Sequence, residues 1–192
     1  MQHIIISCRE AFVAALLLIP IFWILDEKHF HNRAKSLKYM IFSIYLATMY
    51  AAAGLPDITY FRFHPHFNLR PFLYMFSAME TTVLNVILFI PLGIFLPLLW
   101  KQYRFFWKTL LLGFFASLFL EGMQIFTYRA SDINDLITNT AGTVLGFFLG
   151  RVMLRLFPMI TPEENCKDTK IVFGSSLAVM FFLYPFLAKI LF

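Results

Sequence analysis

The stretch Ser117–Gly146, SLFLEGMQIFTYRASDINDLITNTAGTVLG, begins and ends in sequence apolar enough for hydrocarbon. Between those ends stand Glu121, Gln124, Arg129, Asp132, Asp135 and Asn139. A charge at the centre of a spanning helix costs about 2.5–3.5 kcal/mol on insertion scales, so it needs a partner or water. The stretch therefore predicts two spanning helices joined by a short turn, with polar side chains turned inward.

The rest of the chain has the same character. Its 192 residues are 60% hydrophobic, with 25 Phe and a mean hydropathy of +0.73; soluble domains hold about 45–50% apolar residues. Six apolar runs are marked: Ala11–Leu25, Leu37–Leu55, Thr82–Trp100, Phe105–Phe126, Leu136–Phe157 and Ile171–Phe192. A span needs about 20 residues, so the first two runs are short, the first unless its helix starts near Ile4 and takes in Arg9 and Glu10. Every backbone N–H and C=O must be paired inside hydrocarbon. Runs this long without two-residue alternation predict helices rather than a barrel. The expected fold is an all-α, polytopic membrane bundle of about six helices, forming a single domain over residues 1–192.

Lys and Arg set the expected orientation. Eleven of the sixteen lie in Asp26–Lys38, Lys101–Lys108 and Arg151–Lys170; the other five are Arg9, Arg62, Arg70, Arg129 and Lys189. The richer side belongs in the cytoplasm, which places both termini outside. The formal charge of +5 is thereby a topology signal, and nucleic acid is not an expected partner. Cys8 and Cys166 fall on opposite sides in this arrangement and are not expected to pair. The N-terminus shows no small-residue cleavage site of the kind that ends a signal peptide.

On this topology the polar residues gather at the outer end. Asn85 opens the third helix, and Glu121 and Gln124 close the fourth. Arg129 and Asp132 stand in the turn, and Asp135 and Asn139 open the fifth helix. Asn68 and Arg70 belong to the Pro56–Glu80 segment, and Arg9 and Glu10 to the first helix. Glu121, Gln124 and Tyr128 share one helical stripe, as do Asp132, Asp135 and Asn139. Arg129 is the expected partner of Glu121, and Arg70 of Asp132 or Asp135. Asp132 or Ser131 could equally cap the fifth helix. Asn85 and Asn139 could act as hydrogen-bonding glue between helices.

Gly142, Gly146 and Gly150 form a small-residue ridge for close helix packing, and Pro91 and Pro97 are expected to bend the third helix. His64 and His66 have metal-like spacing without a third ligand nearby, so an interfacial loop is the favoured reading. No phosphate-binding Gly-rich loop, catalytic Ser–His–Asp set or CxxC pair occurs. Neither a metal nor a cofactor is expected.

The segments NLRPF (Asn68–Phe72), NVILFIPLGIFLPLL (Asn85–Leu99) and Ser117–Gly150 resemble the successive motifs of the VanZ-like family. The likeness covers roughly residues 68–155. It implies a small bacterial inner-membrane protein, with a family link to low-level resistance to the glycopeptide antibiotic teicoplanin. Three roles follow as expectations. The first is an outward polar pocket that binds a membrane lipid, a lipid-linked cell-wall precursor or a glycopeptide through Asn68, Arg70, Asn85, Glu121, Gln124, Arg129, Asp132, Asp135 and Asn139. The second is an enzyme on a lipid-linked substrate, with Glu121 as base, Arg129 as anion stabiliser and Asp132 and Asp135 on a divalent ion. The third is a transporter or flippase, which fits less well because the polar residues avoid the midplane.

Overall fold

A computed structural model describes residues 2–59, 61–72, 79–127, 130–164 and 167–191, with backbone alone for residues 2–8. The expectations for Tyr128, Arg129 and Cys166, and for the Cys8 side chain, lie outside what it describes.

The described chain is mostly helical, in six runs. These are α1 (Gln2–Leu25), α2 (Arg33–Ala53), α3 (Met79–Leu99), α4 (Phe106–Gln124), α5 (Ile133–Leu156) and a last run that starts as α6 (Lys167–Ala178). The last run passes through a π turn at Val179–Leu183 into α7 (Tyr184–Leu191). Among the described residues, α3, α4, α5 and the whole Lys167–Leu191 run are long and apolar enough to cross a membrane. Five of the six runs begin three or more residues before the apolar stretch read from sequence, because polar residues complete their first turns. Asn32 caps α2 by accepting the Lys35 N–H at 3.1 Å. Gly54, at φ 72°, ends α2 in the left-handed region that glycine enters without strain.

The chain divides into two compact units, residues 1–62 with 167–192, and residues 63–166. In the first, α1 and α6 both pack on α2. Its core contains Val13, Leu18, Phe22, Tyr39, Phe42, Leu46 and Val172. Asp168, 4% exposed, is held there by Lys35 Nζ at 2.7 Å and by the Tyr39 hydroxyl at 3.2 Å. Glu10, grouped with the polar cluster in the sequence reading, instead accepts the Tyr184 hydroxyl at 3.2 Å within this unit.

The second unit is built on α3, α4 and α5. Gly142, Gly146 and Gly150 face the Val86, Ile90 and Ile94 carbonyls in turn, so α3 and α5 run parallel at backbone contact. A Cβ on Gly146 would fall on the Ile90 carbonyl oxygen and 3.0 Å from the Gly93 Cα. Gly93 returns the fit, since a Cβ there would lie 2.7 Å from the Phe147 nitrogen. On its other side α5 meets α4, where Gly113 leaves room for the Thr143 side chain. Pro91 and Pro97 lie inside α3. Outward-facing Trp107, Phe115, Leu145 and Phe148 leave an apolar surface of the kind lipid covers.

Candidate functional site

The sequence-derived polar residues of the second unit meet where α4 ends and α5 begins. Glu121 lies in the last turn of α4 and is 7% exposed. Its carboxylate accepts the Asp132 N–H at 2.8 Å, and its main-chain oxygen accepts the Ser131 hydroxyl at 2.6 Å. Asp132 is the N-cap of α5: extended at φ −119° and ψ 125°, it accepts the Asn134 N–H at 2.8 Å. Its second carboxylate oxygen accepts the Asn68 amide at 2.9 Å. Glu121 does not cap its own helix; it fixes the residue that caps the next one.

A short ladder sets this register. Phe67–Asn68 pairs in parallel with Ser131–Asp132, placing Asn68 opposite Asp132. Two backbone bonds steady the approach, from His64 N–H to the Ile125 oxygen (2.8 Å) and from Ser131 N–H to the His66 oxygen (2.9 Å). Asn134 takes the Phe72 N–H at 2.7 Å, securing a residue that stands in the left-handed region at φ 64°.

The remaining candidates separate by environment. Asn139 donates to the Ser117 hydroxyl at 3.0 Å, linking α5 to α4, while its own buried oxygen finds no hydrogen-bond partner among the described residues. The Asn85 amide nitrogen is likewise buried without a partner there. Gln124 is buried at the end of α4, and Asp135 is half-buried in the first turn of α5. Arg70 corrects the expectation made for it. Its side chain is exposed and makes no ion pair among the described residues, and the Asp132 carboxylate it was to hold is taken by Asn68. A neutral amide between two chain segments gives the same donor without burying a second charge.

Beside this network is a cavity of about 250 Å³. Phe67, Leu69, Leu118, Ile133 and Leu136 supply most of its wall, and Glu121 and Asp132 are also among the residues that line it. The expected shared polar pocket is therefore two things, a network whose side chains hydrogen-bond to one another and a mainly apolar groove against it. Gly122 lines the groove, and a Cβ there would meet nothing within 4 Å. The sequence reading missed Gly122, Ser117 and Asn134. Ser117 was findable one helical turn before Glu121 on the same face, and Asn134 by its spacing of two from a capping Asp. Among the described residues no three His, Cys, Asp or Glu side chains could hold a metal ion.

The arrangement makes a stability prediction. Asp132→Ala removes the α5 cap and the Asn68 acceptor together, and should cost about 1–2 kcal/mol in denaturant or thermal unfolding. Glu121→Gln retains an acceptor for the Asp132 N–H and should unfold close to wild type, whereas Glu121→Leu should lose stability comparably to Asp132→Ala.

A family model described as VanZ/LLP1 matches residues 11–155. Protein VanZ of Enterococcus faecium is 35% identical over 132 residues, which cover 66% of this chain and 76% of that protein. No solved structure matches. With four helices apolar enough to span a bilayer among the described residues and a family match over most of its length, the chain is a membrane protein that belongs to the VanZ/LLP1 family.

Proposed function

We propose that this protein binds a lipid-linked envelope molecule at the outer face of the bacterial inner membrane. All six helical runs cross the bilayer in this reading, with both termini outside. The observation that carries it is the apolar groove whose lining takes in Glu121 and Asp132, the two acids of the hydrogen-bonded network. Such a groove suits an alkyl or prenyl segment, and the polar network and the exposed Arg70 suit the head group attached to it. A guanidinium offers paired donors to phosphate or carboxylate. Positive-inside counting supports the orientation, since the Lys101–Lys108 segment and Arg151 and Arg155 fall at the other end of the same helices. Binding of a cell-wall precursor here would account for low-level resistance to a teicoplanin-type glycopeptide. Glu121 favours this reading over enzyme catalysis, because its carboxylate anchors the start of α5.

The test is native mass spectrometry of the full-length protein released from membranes in mild detergent. Wild type should carry a bound lipid with a polar head, and Gly122→Phe, which fills the groove from an open position, should lose it while keeping its thermal midpoint. Equal lipid retention by a folded Gly122→Phe protein would refute the proposal.

A further inference from the structure

The opposite end of the second unit holds a different cavity, of about 440 Å³, lined by Arg104, Arg151 and Arg155 with Pro158, Thr161 and Pro162. Arg151 and Arg155 are one helical turn apart near the end of α5, and Arg104 comes from the short 3-10 turn at Lys101–Arg104. Among the described residues no Asp or Glu lines this hollow. None of the three arginines has an ion pair among the described residues, and the Arg104 Nε is buried there without a hydrogen-bond partner. Two acids, Glu163 and Glu164, follow Pro162, and neither lines the hollow. Glu164 pairs with Lys101 at 2.7 Å, and that ammonium holds its carboxyl below the usual carboxylate range.

The wall opposite α5 is built, not draped. Glu163 donates its N–H to the Leu99 oxygen at 2.8 Å and accepts the Lys101 N–H at 3.0 Å, tying the chain after α5 to the α3–α4 junction. Three guanidinium groups around one hollow repel each other. The negative end of the α5 dipole offsets only part of that repulsion. An anion would offset the rest and satisfy the buried donor.

We propose that this pocket binds a phosphate group, carried by an anionic lipid of the cytoplasmic leaflet or by a soluble phosphate compound. Guanidinium forks match phosphate oxygens in pairs, which ammonium groups do not. The site lies at the end where the positive-inside excess collects, and anionic head groups are concentrated in that leaflet. It is separate from the groove proposed above, and either can fail without the other.

The test uses the full-length protein in neutral detergent, titrated with short-chain phosphatidylglycerol, with zwitterionic short-chain phosphatidylcholine and with inorganic phosphate. Saturable binding of phosphatidylglycerol and weak binding of phosphatidylcholine are expected. Much tighter binding of phosphatidylglycerol than of inorganic phosphate assigns the site to a lipid; equal binding assigns it to a soluble anion. Arg151→Gln with Arg155→Gln should weaken binding about tenfold for each guanidinium removed. Arg155→Lys, which keeps the charge and loses the fork, should weaken it several-fold and serves if the double variant does not fold. Lys108→Gln, an exposed cation outside the pocket, should change nothing. The proposal is overturned if neither anion binds saturably, or if Lys108→Gln weakens binding as much as the arginine changes do.

Discussion

Gly146→Ala should lower the unfolding midpoint sharply, although it adds a single methyl group. That methyl would sit on the Ile90 carbonyl oxygen, where backbone faces backbone and no side chain can rotate away. Overpacking a tight interior costs about 1–3 kcal/mol, and a clash with main chain on both sides belongs at the top of that range. The contrast is Gly122→Ala. It is also a helical glycine, but its Cβ enters open space, and replacing it in the last turn of α4 should add at most about 0.5–1 kcal/mol. Thermal unfolding monitored by size-exclusion profile would read both. A Gly146→Ala protein as stable as wild type would show that α3 and α5 do not meet on this ridge.

The second large effect belongs to the first unit. Lys35→Met should destabilise it by about 3 kcal/mol or more, because removing one partner of a buried pair leaves the other charge uncompensated. Asp168 has no easy escape to water, its side chain being 6% exposed, against 18% for Lys35. The Tyr39 hydroxyl remains as a neutral donor on one carboxylate oxygen, and the half-exposed His29 ring stands 3.3 Å from the other, so Lys35→Met with His29→Gln should lose more than Lys35→Met alone. Lys35→Met combined with Asp168→Leu should be clearly more stable than Lys35→Met alone, since the double change removes both charges together. The exposed pair of Lys101 and Glu164 is the control, and Lys101→Ala should leave the unfolding midpoint where it is. If the double variant is no better than Lys35→Met, the pair is not the reason Asp168 tolerates burial.

What could be read from the sequence follows from what periodicity encodes. The glycine ridge was legible because a spacing of four maps onto one helix face and small residues there have few other uses. The six apolar runs were legible as helices, but their starts were misplaced because capping side chains such as Asn32 and Asp132 are polar and extend a helix past its apolar stretch. Glu121 and Asp132 stood out because an acid in apolar sequence is costly. Their partners did not, because the two-residue ladder between Phe67–Asn68 and Ser131–Asp132 has no period to detect. Charge matching pointed to Arg70, whereas geometry placed the Asn68 amide against Asp132. Asp168 was passed over inside a basic segment that was weighed for topology alone. The three arginines at the other end were read the same way, as a count, and only the fold places them around one hollow.

The most direct test of the groove is a photocrosslinking residue placed at Leu118, which lines it, and for comparison at Leu111, which is exposed on α4 outside the groove lining. Irradiation of living cells followed by mass analysis of the adducts would identify the neighbours of each position. The account predicts that Leu118 captures a head-group-bearing lipid strongly enriched over its share of the membrane, while Leu111 captures bulk phospholipid. The same bulk-lipid adducts at both positions would contradict it.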